Sequence, residues 1–217
     1  MRVVIAGGHG QIARHLERLL ARRGDVPVGI VRNPDHRADL EADGAEAVVL
    51  DLEQATVEEV AAVVEGADAV VFAAGAGPGS GAARKRTVDH GAAVLLADAA
   101  ERAGVRRYVM VSSMGADTGG TGQGDEVFNA YLDAKKAADD DLMRRDLDWT
   151  VVRPGRLTDD PGTGRVRVAA RTGRGAVPRE DVAAVIVAVL DRPETAGQVV
   201  ELVGGDESIP DALAALR

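Results

Sequence analysis

Short apolar runs alternate along the chain with longer stretches in which Leu, Val and Ala recur every three or four positions. Val3-Val4-Ile5-Ala6, closed by glycines, has no polar face, the pattern of a strand covered on both sides. Ile12, Leu16, Leu19 and Leu20 then fall on one helical face, and Gly24 supplies the stop. Val26–Val31 and Ala47–Leu50 read as the second and third strands, with a helix from Pro34 to Gly44 between them. Thr56-Val57-Glu58-Glu59 has the form of a capping box and opens a helix that ends near Gly66. Ala69–Phe72 is the fourth strand, a helix over Ala83–Ala103 follows a Gly- and Ala-rich loop, and Tyr108–Val111 is the fifth. Residues 115–125, rich in Gly, Asp and Thr, predict a flexible loop before a helix over Val127–Arg145 and a strand over Trp149–Val152. Past Pro154 the pattern loosens to a strand near Val166–Ala169, a helix over Arg179–Leu190, a strand over Gln198–Val203 and a short helix from Pro210.

Strands alternating with helices predict βαβ units. The expectation is one α/β domain over residues 1–217: a Rossmann-type, doubly wound, mostly parallel sheet with helices on both faces. Residues 155–217 would contribute a small substrate-side region. No linker, repeat or low-complexity block divides the chain.

Composition narrows the function. Hydrophobic residues make up 46%, enough to fill a core, but the 2% of aromatics leave little for a nucleic-acid stacking platform. A formal charge of −9 repels phosphate backbones and anionic lipid, so a small-molecule substrate is expected rather than nucleic acid or a membrane. Without cysteine there is no disulfide, thiolate metal site or Cys nucleophile. His9, His15, His36 and His90 lack paired-ligand spacing, so no metal is expected. The first strand starts directly after Met1, leaving no room for a signal peptide, and no apolar run approaches the ~20 residues that span a bilayer. A cytoplasmic location is therefore expected. Ala134, Ala137 and Ala138 suit close helix packing, but the oligomeric state, monomer or homodimer, is left open.

Gly7-Gly8-His9-Gly10-Gln11-Ile12-Ala13 sits where the first strand meets the first helix. Gly7 or Gly8 permits a tight turn with positive φ, Gly10 lets a pyrophosphate approach the backbone, and Ala13 lets the helix pack closely. The helix start offers free N–H groups and partial positive charge to phosphate oxygens. His9 is placed either to touch the phosphates or to face solvent.

An NAD site carries an acidic residue about 20 residues past the glycines, at the end of the second strand. Here that strand ends in Arg32-Asn33. A guanidinium suits a 2′-phosphate through paired charge-assisted bonds, Arg37 can join it, and Asp35 argues the other way. NADP(H) is expected in preference to NAD(H). Asp51-Leu52 follows the third strand, where a carboxylate can accept from the adenine amino group, and Ala73-Ala74-Gly75 leaves room for the adenosine side.

With these segments in order the chain resembles an atypical short-chain dehydrogenase/reductase of the NAD(P)H-binding, NmrA-like branch. The resemblance runs over nearly the whole length. It rests on Gly7-Gly8-His9-Gly10, Val88-Asp89-His90-Gly91, Val111-Ser112-Ser113-Met114-Gly115, Tyr131-x-x-x-Lys135 and Val152-Arg153-Pro154-Gly155. It implies that Tyr131 is the general acid/base, that Lys135 favours its phenolate and holds the nicotinamide ribose, and that Ser113 rather than Ser112 orients a carbonyl. It also places the Arg153-Pro154-Gly155 turn near nicotinamide and substrate. Asp89 stands where the complete catalytic tetrad has Asn, and many members of the branch lack the tetrad and act as sensors.

The residues make chemical sense beside the resemblance. Tyr131 and Lys135 are four apart on a helix, hence on one face. A phenol with an ordinary pKa of ~10 is a sluggish base at neutral pH, and a nearby ammonium favours its anion. Ser113 ends a parallel strand, where open α/β sheets bind ligands. The loop 115–125 is placed to act as a lid, and with residues 155–175 it should line the substrate pocket. Arg84-Lys85-Arg86 and Asp139-Asp140-Asp141 read as solvated faces. Two functions fit: a reductase transferring hydride from NADPH to a small carbonyl or related acceptor, and a non-catalytic NADP(H)-binding regulator. A nucleotide-sugar epimerase is set aside because the stretch after Pro154 is too short for a separate substrate domain.

Overall fold

The computed structural model describes residues 1–216 apart from Pro78 and Gly124. Gly124 of the loop 115–125 and Pro78 of the Gly- and Ala-rich segment thus lie outside the described residues. The first half runs β1 (Arg2–Ala6), α1 (Gln11–Arg23), β2 (Val26–Val31), α2 (Arg37–Ala42), β3 (Glu46–Val49), α3 (Val57–Val64) and β4 (Ala69–Phe72). A helical run follows, made of α4 (Ala82–Arg84), a π-helical stretch over Lys85–Gly91 and α5 (Ala92–Ala103). Then come β5 (Arg107–Val111), α6 (Glu126–Leu142), β6 (Asp148–Pro154), β7 (Arg156–Thr158), β8 (Arg165–Ala169) and β9 (Ala176–Pro178). The chain ends with α7 (Arg179–Leu190), β10 (Gln198–Gly204), β11 (Glu207–Ser208) and α8 (Ile209–Ala214).

Nine strands form one sheet in the order β11-β8-β10-β6-β5-β4-β1-β2-β3. All pairings from β3 to β10 are parallel, and β8 and β11 add an antiparallel edge. This is the Rossmann-type α/β arrangement that the sequence predicts. The winding reverses at β1, where Ile5 pairs with Gly29 of β2 and with Val71 of β4. That reversal opens a crevice at the carboxyl ends of the strands.

The unbroken apolar run of β1 follows from burial on both faces. Val3 and Ile5 pack with Leu16 and Leu20 of α1 and Val182 and Ile186 of α7. Val4 and Ala6 pack with Val60 of α3 and Leu96 and Ala100 of α5. Each fully buried Val or Leu contributes roughly 1.5–3 kcal/mol. The Thr56 capping box forms, with its hydroxyl accepting from Glu59 N at 3.2 Å and the Glu59 carboxylate accepting from Thr56 N at 2.8 Å. Gly24 and Gly104 stop α1 and α5 in the left-handed region, at φ 88° and 72°.

Three short strands escape the sequence pattern. β7 and β9 make a separate two-stranded sheet, and β11 is a two-residue edge. None is long enough for period-two alternation to register. The helix read as regular over Ala83–Ala103 carries the π-helical stretch, whose wider turn sets Lys85, Val88 and Asp89 on its buried side. No helix among the described residues is long and apolar enough to cross a membrane.

Candidate functional site

The glycine-rich turn is pressed between two strands. Gly7 has φ 82°, and a Cβ there would stand 2.6 Å from Ala74 Cα. A Cβ on Gly8 would come within 2.7 Å of Gly29 Cα. Gly10 N donates to Gly7 O at 2.8 Å and closes the turn. Gly10 also starts α1 without a side-chain cap, and the first helical bond is Arg14 N to Gly10 O at 2.9 Å. The N–H groups of Gln11, Ile12 and Ala13 therefore have no helical acceptor and are free for an anion. The side chains of Gln11 and Ile12 point elsewhere: Gln11 lines a shallow cavity beside Thr158, and Ile12 packs on the core.

A cleft of about 270 Å³ extends from this turn across the ends of β2, β3 and β4. Its walls include Gly7, His9, Gly10, Arg32, Asp51, Leu52 and Ala73-Ala74-Gly75, so most of the expected cofactor residues converge on one space. The bare glycine cradle and free helix N–H groups fit a dinucleotide pyrophosphate. Asn33 does not line it; its side chain accepts from Asp35 N at 3.1 Å and caps the short turn Pro34–His36.

Two features of this cleft have no signal in the sequence. His9 stacks on His36 with ring centroids 3.6 Å apart, and its Nε2 lies 2.7 Å from Asp39 Oδ2. Arg32 donates to Glu53 at 3.0 Å, and Glu53 also accepts from Arg84 at 2.6 Å and from Thr87 at 2.7 Å. The hydrogen bond from Arg84, then that from Thr87, holds the Glu53 carboxyl below its usual range. Arg84 thus faces an anion and Lys85 is buried, and of the three basic residues read as solvated Arg86 alone is exposed.

Below Gly75 lies a buried pair. Lys135 Nζ stands 3.5 Å from Asp89 Oδ1 and donates to Val111 O at 3.1 Å. Asp89 Oδ2 accepts from Ala76 N at 3.2 Å. Half-buried Tyr131 lies nearby, its ring centroid 5.9 Å from Lys135 Nζ and 5.2 Å from Lys85 Nζ. Lys85 is fixed by donating to Gly77 O at 2.9 Å. Tyr131 lines neither the cleft nor the larger cavity described next.

A cavity of about 890 Å³ opens at the ends of β5 and β6. The parallel pairing continues past the strands, with Ser112 N donating to Val152 O at 2.8 Å and Met114 N to Pro154 O at 3.0 Å, which brings Ser113 and Pro154 to its floor. Phe128 and Leu132 of α6 line it together with Arg156, Arg174 and Gly175. Ser112 faces inward, donating to Asp139 at 2.8 Å. Arg153 Nε donates to the same oxygen at 3.0 Å. Asp139 is fully buried, correcting its reading as part of a solvated face: α6 turns its carboxylate toward Arg153, while Asp140 and Asp141 stay partly exposed. Burial pushes its carboxyl up against the opposing pull of Arg153. The loop after Gly115 contributes little lining. It is tied to α6, where Asp133 accepts from Gly120 N at 2.8 Å and Asn129 from Thr121 N at 3.1 Å.

Residues 7–193 match the protein family described as NAD(P)H-binding. The chain belongs to that family. This NAD(P)H-binding chain is 38% identical over 217 residues to the uncharacterized sugar epimerase YhfK of Bacillus subtilis, covering 100% of both chains. Among solved structures it resembles a Bacillus halodurans protein provisionally designated an NAD-dependent epimerase/dehydratase, with 37% identity, TM-score 0.89 and 99% of each chain covered. It also resembles the oxidoreductase ylbE of Lactococcus lactis, with 26% identity, TM-score 0.86, and 99% and 96% of the two chains covered. The atypical short-chain dehydrogenase/reductase resemblance read from the motifs accords with these neighbours.

Proposed function

We propose that the protein is an NADP(H)-dependent oxidoreductase that passes hydride to a small carbonyl or related organic acceptor. One observation carries the reading: a glycine-cradled cleft at the ends of β1–β4 lies beside a cavity floored by Ser113 and Pro154 at the ends of β5 and β6. A dinucleotide held by the turn would lie along these adjacent strands, its adenosine toward Arg32 and its nicotinamide toward Ser113. A bound nicotinamide supplies or accepts the hydride. Ser113 orients the carbonyl and Pro154 excludes water. Tyr131, set behind the cavity lining with its ring centroid 6.0 Å from that of Phe128, is the group assigned to supply or remove the proton at the carbonyl oxygen. The name of the Lactococcus lactis neighbour is in line with this chemistry.

NADP is favoured because β2 ends in a guanidinium rather than a carboxylate. Arg32 commits one nitrogen to Glu53 and keeps its remaining N–H donors for a 2′-phosphate. A non-catalytic NADP(H)-binding regulator is the second reading, favoured by Lys135, whose ammonium is spent on Asp89 and Val111 rather than open to a ribose. The sugar-epimerase name of the Bacillus subtilis relative has less support, because β8, β10 and β11 complete the main sheet instead of building a separate lobe.

The test is calorimetric titration with NADPH and NADH side by side, followed by NADPH oxidation with an aldehyde panel. Micromolar NADPH, much weaker NADH and turnover are expected. Binding without turnover would favour the regulator, and binding of neither nucleotide would remove both readings.

A further inference from the structure

Two arginines on the rim of the larger cavity have no ion-pair partner among the described residues. Arg156 and Arg174 are exposed and line it, and neither guanidinium has an ion-pair or hydrogen-bond partner among the described residues. The other arginines around this cavity are neutralised. Arg171 pairs with Asp117 at 2.8 Å, and Arg153 with Asp139 at 2.9 Å. In a chain with 35 Asp and Glu against 26 Lys and Arg, two guanidiniums without an ion-pair partner on one rim stand out.

The rim is built by close backbone contact. A Cβ on Gly155 would meet Gly175 O at 2.4 Å, so glycine lets the two segments touch. Arg156 N then donates to Gly175 O at 2.9 Å, and β7 pairs with β9 through Arg156 and Ala176. This contact sets the residue after Gly155 and the residue before Gly175 on one edge. Phe128, which lines the same cavity as Met114 and Leu132, is 55% exposed, the most exposed large apolar side chain among the described residues.

We infer that the cavity takes a carboxylate-bearing molecule with an apolar body, its carboxylate held by Arg156 and Arg174 and its body against Phe128, Met114 and Leu132. Planar guanidiniums bind carboxylate through paired N–H donors, and on an exposed rim they need not be buried unpaired before the ligand arrives. The inference rests on the proposed function for the reacting end at Ser113; the recognition of the carboxylate stands on the two arginines alone.

Calorimetry with naphthoate and its uncharged counterpart naphthamide tests it on the full chain and on R156Q/R174Q. In the unaltered protein naphthoate should bind about ten-fold more tightly or better, as one charge-assisted contact provides. The double variant should lose that preference while keeping its melting temperature and its naphthamide affinity. Equal affinities in the unaltered protein, no binding of either probe, or a preference that survives in the double variant overturns the inference. NADPH oxidation with para-carboxybenzaldehyde and benzaldehyde separates it from the reading it rests on. A naphthoate preference without turnover of either aldehyde would remove hydride transfer and leave the carboxylate site standing.

Discussion

Lys135 Nζ stands 3.5 Å from Asp89 Oδ1, and the two side chains are only 4% and 1% exposed. The pair joins the π-helical stretch to α6 directly beneath Gly75. Burying two charges costs nearly what their attraction returns, whereas removing one partner strands the other. Asp89→Ala should therefore lower stability by about 3–5 kcal/mol in urea unfolding. Asp89→Leu combined with Lys135→Met should recover most of that loss. A single-variant cost below about 1 kcal/mol, the range of an exposed pair, would show that the contact does not hold the two elements together.

Glu17 gives the fold a pH dependence of its own. It is fully buried in α1, neither carboxyl oxygen has a hydrogen-bond partner among the described residues, and Oε1 lies 2.6 Å from where a Gly29 Cβ would stand. Burial first, and the charge of Asp43 second, push its pKa up to about 8. The folded chain thus keeps a proton that the unfolded chain releases above about pH 4.3. Stability from this group is full below that pH, falls by at most about 1.4 kcal/mol per unit as pH rises toward 8, and is flat beyond. Glu17→Gln should flatten that slope. Urea midpoints near pH 6 and pH 8 for both proteins check it, and parallel losses would place the effect elsewhere.

How far the sequence carries depends on the range of the contact that decides each feature. β1 is legible because its apolar run records two covered faces, and α7 is legible over its full span from Arg179 to Leu190. The glycine turn is legible because Gly7 needs positive φ whatever surrounds it. Glu53 is not, since its partners Arg32, Arg84 and Thr87 lie 21, 31 and 34 positions away. Asp139 looks like Asp140 and Asp141 until folding brings Arg153 to it. β7 and β9 exist because two glycines let their segments meet, a fact no local pattern records.

Arg32 and Glu53 make opposite predictions for the same ligand. Arg32→Ala should weaken NADPH on the order of ten-fold or more while changing NADH little, because a charge-assisted bond to a 2′-phosphate contributes about 1.5–3 kcal/mol. Glu53→Gln removes the carboxylate that occupies Arg32 and Arg84, and should tighten NADPH while leaving NADH unchanged. Calorimetry at two salt concentrations reads both, and the Glu53 effect should shrink at high salt. Equal losses for the two nucleotides in Arg32→Ala would remove the 2′-phosphate assignment.

Tyr131 sits with ammonium groups 5.2 Å and 5.9 Å from its ring centroid, Lys85 and Lys135. Lys135 is committed to Asp89, which leaves Lys85, held in place by Gly77 O, as the less compensated cation beside the phenol. Tyr131→Phe should lower kcat about 100-fold or more, the range of one acid/base group, with NADPH affinity nearly intact. Lys85→Met should lower kcat less, leave the NADPH affinity alone and shift the pH profile of turnover, because it acts through Tyr131 and not on the nucleotide. Lys85→Arg should restore part of the rate. Unchanged turnover in Tyr131→Phe would sink the acid/base role. A Lys85→Met variant with normal kcat and an unmoved profile would return Lys85 to a purely structural part in holding the loop at Gly77.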